Sequence, residues 1–235
     1  PMKHLYTRLI QVRNPDFKMH EAVTGKMLWS FGIQTLCQLL RGLKVILRGR
    51  SPKMMMLGTS VKFRYFSSIQ YGRMLKAGDH VLFSALGIEG IQLGNNVSIG
   101  SYSQIIASTS LNQPGIGIHI GDRVGMGEFA YLGGGGGLKI GSDCIIGQYF
   151  SCHPENHVFS NPEELIRLQG VTRKGIEIGS GCWIGSKVTI LDGAHIGNHC
   201  VVAAGAVVTG HFPDYAVIGG VPARILKQRD QQSAA

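Results

Sequence analysis

Two histidines four residues apart, His153 and His157, enclose Glu155 and Asn156 in the segment HPENHVFSNPEELIRLQGVTRKG, which runs from His153 to Gly175 and also carries the cations Arg167, Arg173 and Lys174. Imidazole gains and loses a proton near neutral pH. Beside a hydroxyl, which is a poor nucleophile until its proton is removed, such a group serves as general base. Holding the ring in one orientation takes an acceptor for its second nitrogen. Glu155 is near in sequence, and a residue brought in by the fold would serve as well. His4, His20, His80, His195, His199 and His211 read as solvated side chains.

The elements that must position these groups show up as a period. An aliphatic residue recurs every six positions, as Leu93, Ile99, Ile105, then Ile120, Met126, Leu132, then Ile140, Ile146, then Ile178, Ile184, Ile190, Ile196, Val202, Val208, very often with Gly next. Six fits neither a helix nor an alternating strand. It fits a parallel β-helix, an all-β solenoid in which each unit is a short strand and a turn and the aliphatic side chain points inward. Three units close a triangular coil, so Ile178 should stack on Ile196, Ile184 on Val202, Ile190 on Val208, and Cys182 on Cys200. Two segments break the register, Ile106–Ile118 and His153–Gly175, and loops on a rigid scaffold commonly carry function. Gly133–Gly137 lacks the Lys-Ser/Thr ending of a phosphate loop and reads as a bulge where a loop or substrate lies close.

The segment IGSGCWIGSKVTILDGAHIGNHCVVAAGAVVT, residues 178–209, closing with GGVPARILK, residues 219–227, resembles the hexapeptide-repeat acyltransferases, most closely their sugar O-acetyltransferase branch. The resemblance covers about residues 91–229. It implies a left-handed β-helix, a homotrimer, acetyl-CoA as co-substrate and an active site between two subunits. It places the catalytic base at His157, with His153 as the competing choice. It assigns acetyl-CoA contacts to Trp183, Gly185, Ser186, Ala204, Thr209, Pro222, Arg224 and Lys227, with the Ser186 N–H aimed at the thioester oxygen. Acceptor contacts fall to His153, Glu155, Asn156 and Arg173. Two positions depart from the pattern: Gly210 stands where many relatives carry Lys, and Gly100 where some carry Asn, which leaves the acceptor less defined than the acetyl donor.

Charge divides the chain. Residues 1–80 hold 14 Lys+Arg and 3 Asp+Glu, while residues 81–235 hold 9 and 11. No zinc spacing, basic zipper or aromatic RNA-binding motif accompanies the basic half, so nucleic acid is not the expected partner; anionic lipid or a phosphate-bearing substrate is. Residues 22–50 read as an amphipathic helix with Leu28, Leu36, Leu39, Leu43 and Leu47 roughly on one side. With Trp29, Phe31, Arg41, Lys44, Arg48 and Arg50 the segment fits a peripheral membrane anchor, and equally a cap over the end of the solenoid. Its apolar stretch 27–40 is too short to span a bilayer. Five cysteines without a C-x-x-C pair, and no secretory leader, point to a reducing cytoplasm, possible contact with the inner face of the membrane included; Pro1 ahead of Met2 reads as foreign to the natural chain.

The expected organisation is a basic extension over 1–75, the β-helix over 76–229 with loops 106–118 and 153–175, and a tail over 230–235. The expected activity is transfer of acetyl from acetyl-CoA to a hydroxyl of a sugar or surface-polysaccharide precursor, with no metal. N-acetylation of an amino or nucleotide sugar is the alternative within the same chemistry. Outside it stand a carbonic-anhydrase-like trimer holding a metal with His119, His153 and His157, and a non-catalytic scaffold.

Overall fold

The computed structural model describes residues 2–229; Pro1 and the tail 230–235 lie outside the described residues. Seven successive coils each lay one short strand on each of three parallel sheets. The first face is built from residues 56–57, 76–77, 98–99, 125–126, 145–146, 183–184 and 201–202, and ends on an antiparallel pair, Ala216–Gly220 with Ala223–Gln228. The second face runs from Lys62–Arg64 to Val207–Val208, and the third from Ile69–Tyr71 to His211–Phe212.

The expected stacks are present, with Ile178 paired to Ile196, Ile184 to Val202 and Ile190 to Val208. The same ladder continues upstream through Ile146, Met126 and Ile99, where the partners are 38, 20 and 27 positions apart. The constant is therefore the inward aliphatic, and coil length varies with what each corner extrudes. The interior is a column of Ile, Leu and Val with Cys144, Cys152, Cys182 and Cys200 fully buried in it. Burial pushes the Cys152 thiol well above its ordinary value, as expected for a packing cysteine.

The coil begins earlier than the boundary at 76. Residues 56–57, 62–64 and 69–71 already pair with the second coil. Phe63 and Tyr71 hold inward positions that aliphatic residues fill in later coils, so the aliphatic period is weak there although Leu57, Val61, Ile69 and Leu75 are buried. The register breaks are also shorter than expected. Gln104–Ile106 and Gly115–Ile120 are strands, which confines the first excursion to 107–114, and the second starts after the strand Ser151–His153.

Two helices precede the coil, α1 (Met2–Gln11) and α2 (Gly25–Gly42), and α2 runs on into a tight turn, Leu43–Arg48. Thr24 caps α2 by accepting from the Met27 amide. The first coil has no coil before it, so its outward carbonyls lack partners. Four cations supply them: Lys44 Nζ donates to Val61 O (2.8 Å), Arg48 to Phe63 O (3.3 Å), Arg50 to Ile69 O (2.9 Å) and Lys53 to Tyr71 O (3.0 Å). Arg48 and Arg50 also sit over the Phe66 ring. The basic front end is thus a solenoid cap.

Side chains take up amides of the neighbouring coil at two corners, between the first and second faces at Asp79 and between the third and first faces at Asp214. Asp79 accepts from the Thr59 amide (2.6 Å) and Asp214 from that of Asn198 (2.7 Å). These bonds hold both carboxyls below their ordinary range, the Asn198 and Thr59 amides being the largest causes. A depressed folded pKa contributes stability above the unfolded value, and that contribution is lost as pH falls through the folded one. Thermal unfolding followed from pH 6 down to about pH 3 should therefore show a falling Tm below about pH 4. The double variant Asp79→Asn, Asp214→Asn should flatten that fall. A variant that tracks the parent throughout would remove these carboxylates as its source.

The corner between the first and second faces carries bulky residues in the left-handed region, His80, Tyr102, Phe129 and Tyr149. Their rings stack in sequence at 5.0, 5.2 and 5.0 Å, nearly parallel. Each stack is worth about 0.5–1.5 kcal/mol, comparable to the left-handed backbone cost it offsets.

Candidate active site

Both excursions leave the corner between the second and third faces, one above the other, and meet over the glycine run. The second one folds on itself: Asn156–His157 pairs antiparallel with Val171–Thr172, His157 opposite Val171. Its return is pinned where the chain re-enters the coil, because Asp192 Oδ1 accepts from the amides of both Lys174 and Gly175 at 2.8 Å. Arg173 ties the excursions together. Its Nε donates to Glu155 Oε2 (3.1 Å), and its two terminal nitrogens donate to the carbonyls of Pro114 (3.1 Å) and Gln113 (3.2 Å).

The glycine run is the floor of this junction, as a close approach requires. A β-carbon on Gly136 would overlap the Pro154 carbonyl, one on Gly135 the Glu155 carboxylate, and one on Gly134 would lie 2.8 Å from Ala107 Cα. Gly136→Ala should therefore push the second excursion off the coil, costing about 1–3 kcal/mol and opening residues 154–175 to limited proteolysis. Gly125, whose β-carbon would meet nothing within 4 Å, is the control; Gly125→Ala should change stability by no more than about 0.5 kcal/mol. Equal effects of the two substitutions would contradict this account of the glycines.

Between the excursions lies an open cleft of ≈ 470 Å³ lined by Tyr131, His153, Glu155, His157, Arg173 and the backbone of 107–110 and 133–135. Both candidate bases open into it. His153 projects from the second face and stacks on Tyr131, ring centres 5.3 Å apart. Desolvation there lowers the His153 pKa, which keeps the imidazole unprotonated at neutral pH. Burial, then the Glu155 charge, raises the Tyr131 pKa, so its phenol stays protonated and available as a donor. His157 is exposed on the hairpin at the cleft wall. Arg173, expected on the acceptor, has its guanidinium engaged by Glu155 and the first excursion. Sequence reasoning did not find Tyr131, the Ser108–Ser110 stretch or Asp192. A lone carboxylate in L-D-G-A, one 18-residue coil after Lys174 at the end of the long register break, was the available signal for Asp192.

His119 lies elsewhere, in a groove on the third face with Lys139, Glu177, His195 and His211. The three-histidine set is therefore split between two sites within the chain. Among the described residues no group of three His, Cys, Asp or Glu side chains is arranged to hold a metal ion.

The eight residues assigned to acetyl-CoA run down the C-terminal coils. Trp183 stands outward and exposed on the first face. Gly185, Ser186 and Ala204 form the adjoining corner, where the two coils approach so closely that a β-carbon on Gly185 would lie 2.6 Å from the Ala204 amide nitrogen. Ser186 Oγ donates to Gln148 Oε1 at 2.9 Å. Thr209 is exposed at the next corner, and Pro222, Arg224 and Lys227 lie on the terminal hairpin. None of the eight lines the cleft that holds His157.

Residues 175–210 match a family model described as bacterial transferase hexapeptide (six repeats). Mycobacterium tuberculosis Rv3034c, named a probable acetyltransferase, is 28% identical over 177 residues, which are 68% of this chain and 57% of that protein. Escherichia coli WbbJ, provisionally named a lipopolysaccharide biosynthesis O-acetyl transferase, is 30% identical over 123 residues, 49% of this chain and 63% of its own length. Both matches span less than two thirds of the relative. Among solved structures, the S84A mutant of AntD, an N-acyltransferase from Bacillus cereus in complex with dTDP-4-amino-4,6-dideoxyglucose and coenzyme A, superposes with a TM-score of 0.52 at 19% identity, over 74% of this chain and 84% of that one. That likeness is one of fold. The coil, the matched repeat and the likeness of fold make this chain a left-handed β-helix built of hexapeptide repeats.

Proposed function

We propose that the chain is an acetyl-CoA-dependent O-acetyltransferase acting in the cytoplasm on a hydroxyl of a sugar or surface-polysaccharide precursor. The observation that carries this reading is the cleft at the junction of the two excursions, with His157 and a neutral His153 opening into it directly above the coils whose sequence matches the transferase repeat. His157 takes the acceptor proton as the hydroxyl oxygen attacks the thioester carbonyl. The carbonyl oxygen, negative in the transition state, is met by the Ser186 N–H. Coenzyme A leaves as the thiol, with the proton returned by the imidazolium. Trp183, Ala204 and Thr209 flank the pantetheine arm, and Arg224 and Lys227 meet the phosphates. Because the acetyl-CoA residues lie outside the His157 cleft of the same chain, the working site is completed by a neighbouring copy in a homotrimer.

WbbJ, named an O-acetyl transferase of lipopolysaccharide biosynthesis, supports an oxygen acceptor on a glycan, while the sugar bound to AntD carries an amino group. Thiol release from acetyl-CoA, measured with hydroxyl sugars and amino sugars side by side, separates the two. Turnover with hydroxyl acceptors alone is expected. A chain that does not bind acetyl-CoA overturns the proposal.

A further inference from the structure

Capping the first coil uses only one side of α2. Leu28, Gln38, Gly42 and, beyond the helix, Val45 are buried, with Val45 joining the core of the coil. Gly42 approaches so closely that a β-carbon there would overlap the Met55 carbonyl. The opposite side carries Trp29, Ile33, Leu36 and Leu40, spaced 4, 3 and 4, which keeps them on one stripe, and Leu43 and Leu47 continue the apolar surface into the tight turn beyond α2. All six are exposed, Trp29 by 66%, Leu36 and Leu40 by 57% and Leu47 by 91%. The leucines expected on one side therefore divide, Leu28 inward and Leu36, Leu43 and Leu47 outward. α1 packs beside α2 through Tyr6 over Gly32, and its Leu5 and Leu9 are exposed.

We propose that this stripe docks the protein on an anionic lipid surface, with α2 lying in the interface plane. Heptad spacing also suits a helix of a second copy, and charge decides between the two. Residues 22–78 contain ten Lys+Arg and no Asp or Glu. A second copy would set Lys26, Arg41 and Lys44 against their own equivalents with no carboxylate to answer them, whereas anionic headgroups neutralise them. An apolar stripe with a tryptophan, flanked by cations, is the pattern of a helix half-sunk at the headgroup boundary. No helix among the described residues is long and apolar enough to cross the membrane, so the contact is peripheral.

The test is sedimentation of the full chain with vesicles of phosphatidylcholine alone and with about one third phosphatidylglycerol, alongside light scattering for subunit number. Binding to the anionic vesicles should exceed that to neutral ones by at least about tenfold and fall steeply in ~0.5 M salt. Leu36→Glu with Leu40→Glu should abolish it, and Lys26→Glu with Arg41→Glu should weaken it roughly tenfold, with subunit number unchanged in both. Trp29→Ser with Leu47→Ser, at the most exposed positions, gives an independent pair if the first misfolds. A parent that ignores anionic vesicles overturns the proposal, as does a stripe variant that changes subunit number, which would make the stripe an interface between copies.

Discussion

Replacing His157 with alanine should lower acetyl transfer by about 10²–10⁴-fold, the usual contribution of a general base, while leaving acetyl-CoA binding unchanged. The retained affinity follows from geometry, since no residue assigned to acetyl-CoA lines the cleft that holds His157. His153→Ala is the necessary companion, because His153 opens into the same cleft and its lowered pKa leaves it a free base. Its stacking on Tyr131 makes it a wall of the acceptor site, and its loss should raise KM for the acceptor more than it lowers kcat. The pH profile adds an independent reading. An acidic limb lying below the ordinary histidine value of ~6.5, and abolished in His153→Ala, would transfer the base role to His153. If both variants keep parental rates, neither histidine is the base.

The coil was legible because its signal is redundant. Every inward aliphatic is one rung of a ladder, so Ile178, Ile184 and Ile190 could be paired with Ile196, Val202 and Val208 from spacing alone, and those pairs formed. The same logic failed over residues 56–71, where the aromatic side chains of Phe63 and Tyr71 stand at inward positions that aliphatic residues hold in later coils. The glycine run was correctly read as a close approach, since overlap by any β-carbon is a local demand that only glycine meets. What occupies that approach is non-local. Arg173 reaches 59 residues back to the Pro114 carbonyl, and Asp192 reaches 18 back to the Lys174 amide. A period fixes the stack of coils. It does not fix which excursion leans on which, and the excursions form the cleft.

Two inactive variants should restore activity when expressed together. One carries His157→Ala. The other keeps His157 but has Ala204→Trp, which fills the exposed corner beside Ser186 and is expected to block acetyl-CoA. Each alone should transfer no acetyl above background. In mixed trimers assembled at random, a boundary works when it pairs the intact His157 of one chain with the intact corner of its neighbour, which happens at about one quarter of boundaries for equal expression. Activity near that fraction of the parent is expected from co-expressed chains, and none from chains purified separately and mixed without subunit exchange. The magnitude discriminates because a site contained within one chain offers no route to recovery: every chain in the mixture then carries one lesion in its own site. Absence of recovery in trimers verified to contain both chains would place His157 and the acetyl-CoA corner in the same subunit's site. The separation between the cleft and the C-terminal coils would then have to be closed by movement of the 154–175 excursion rather than by a neighbour.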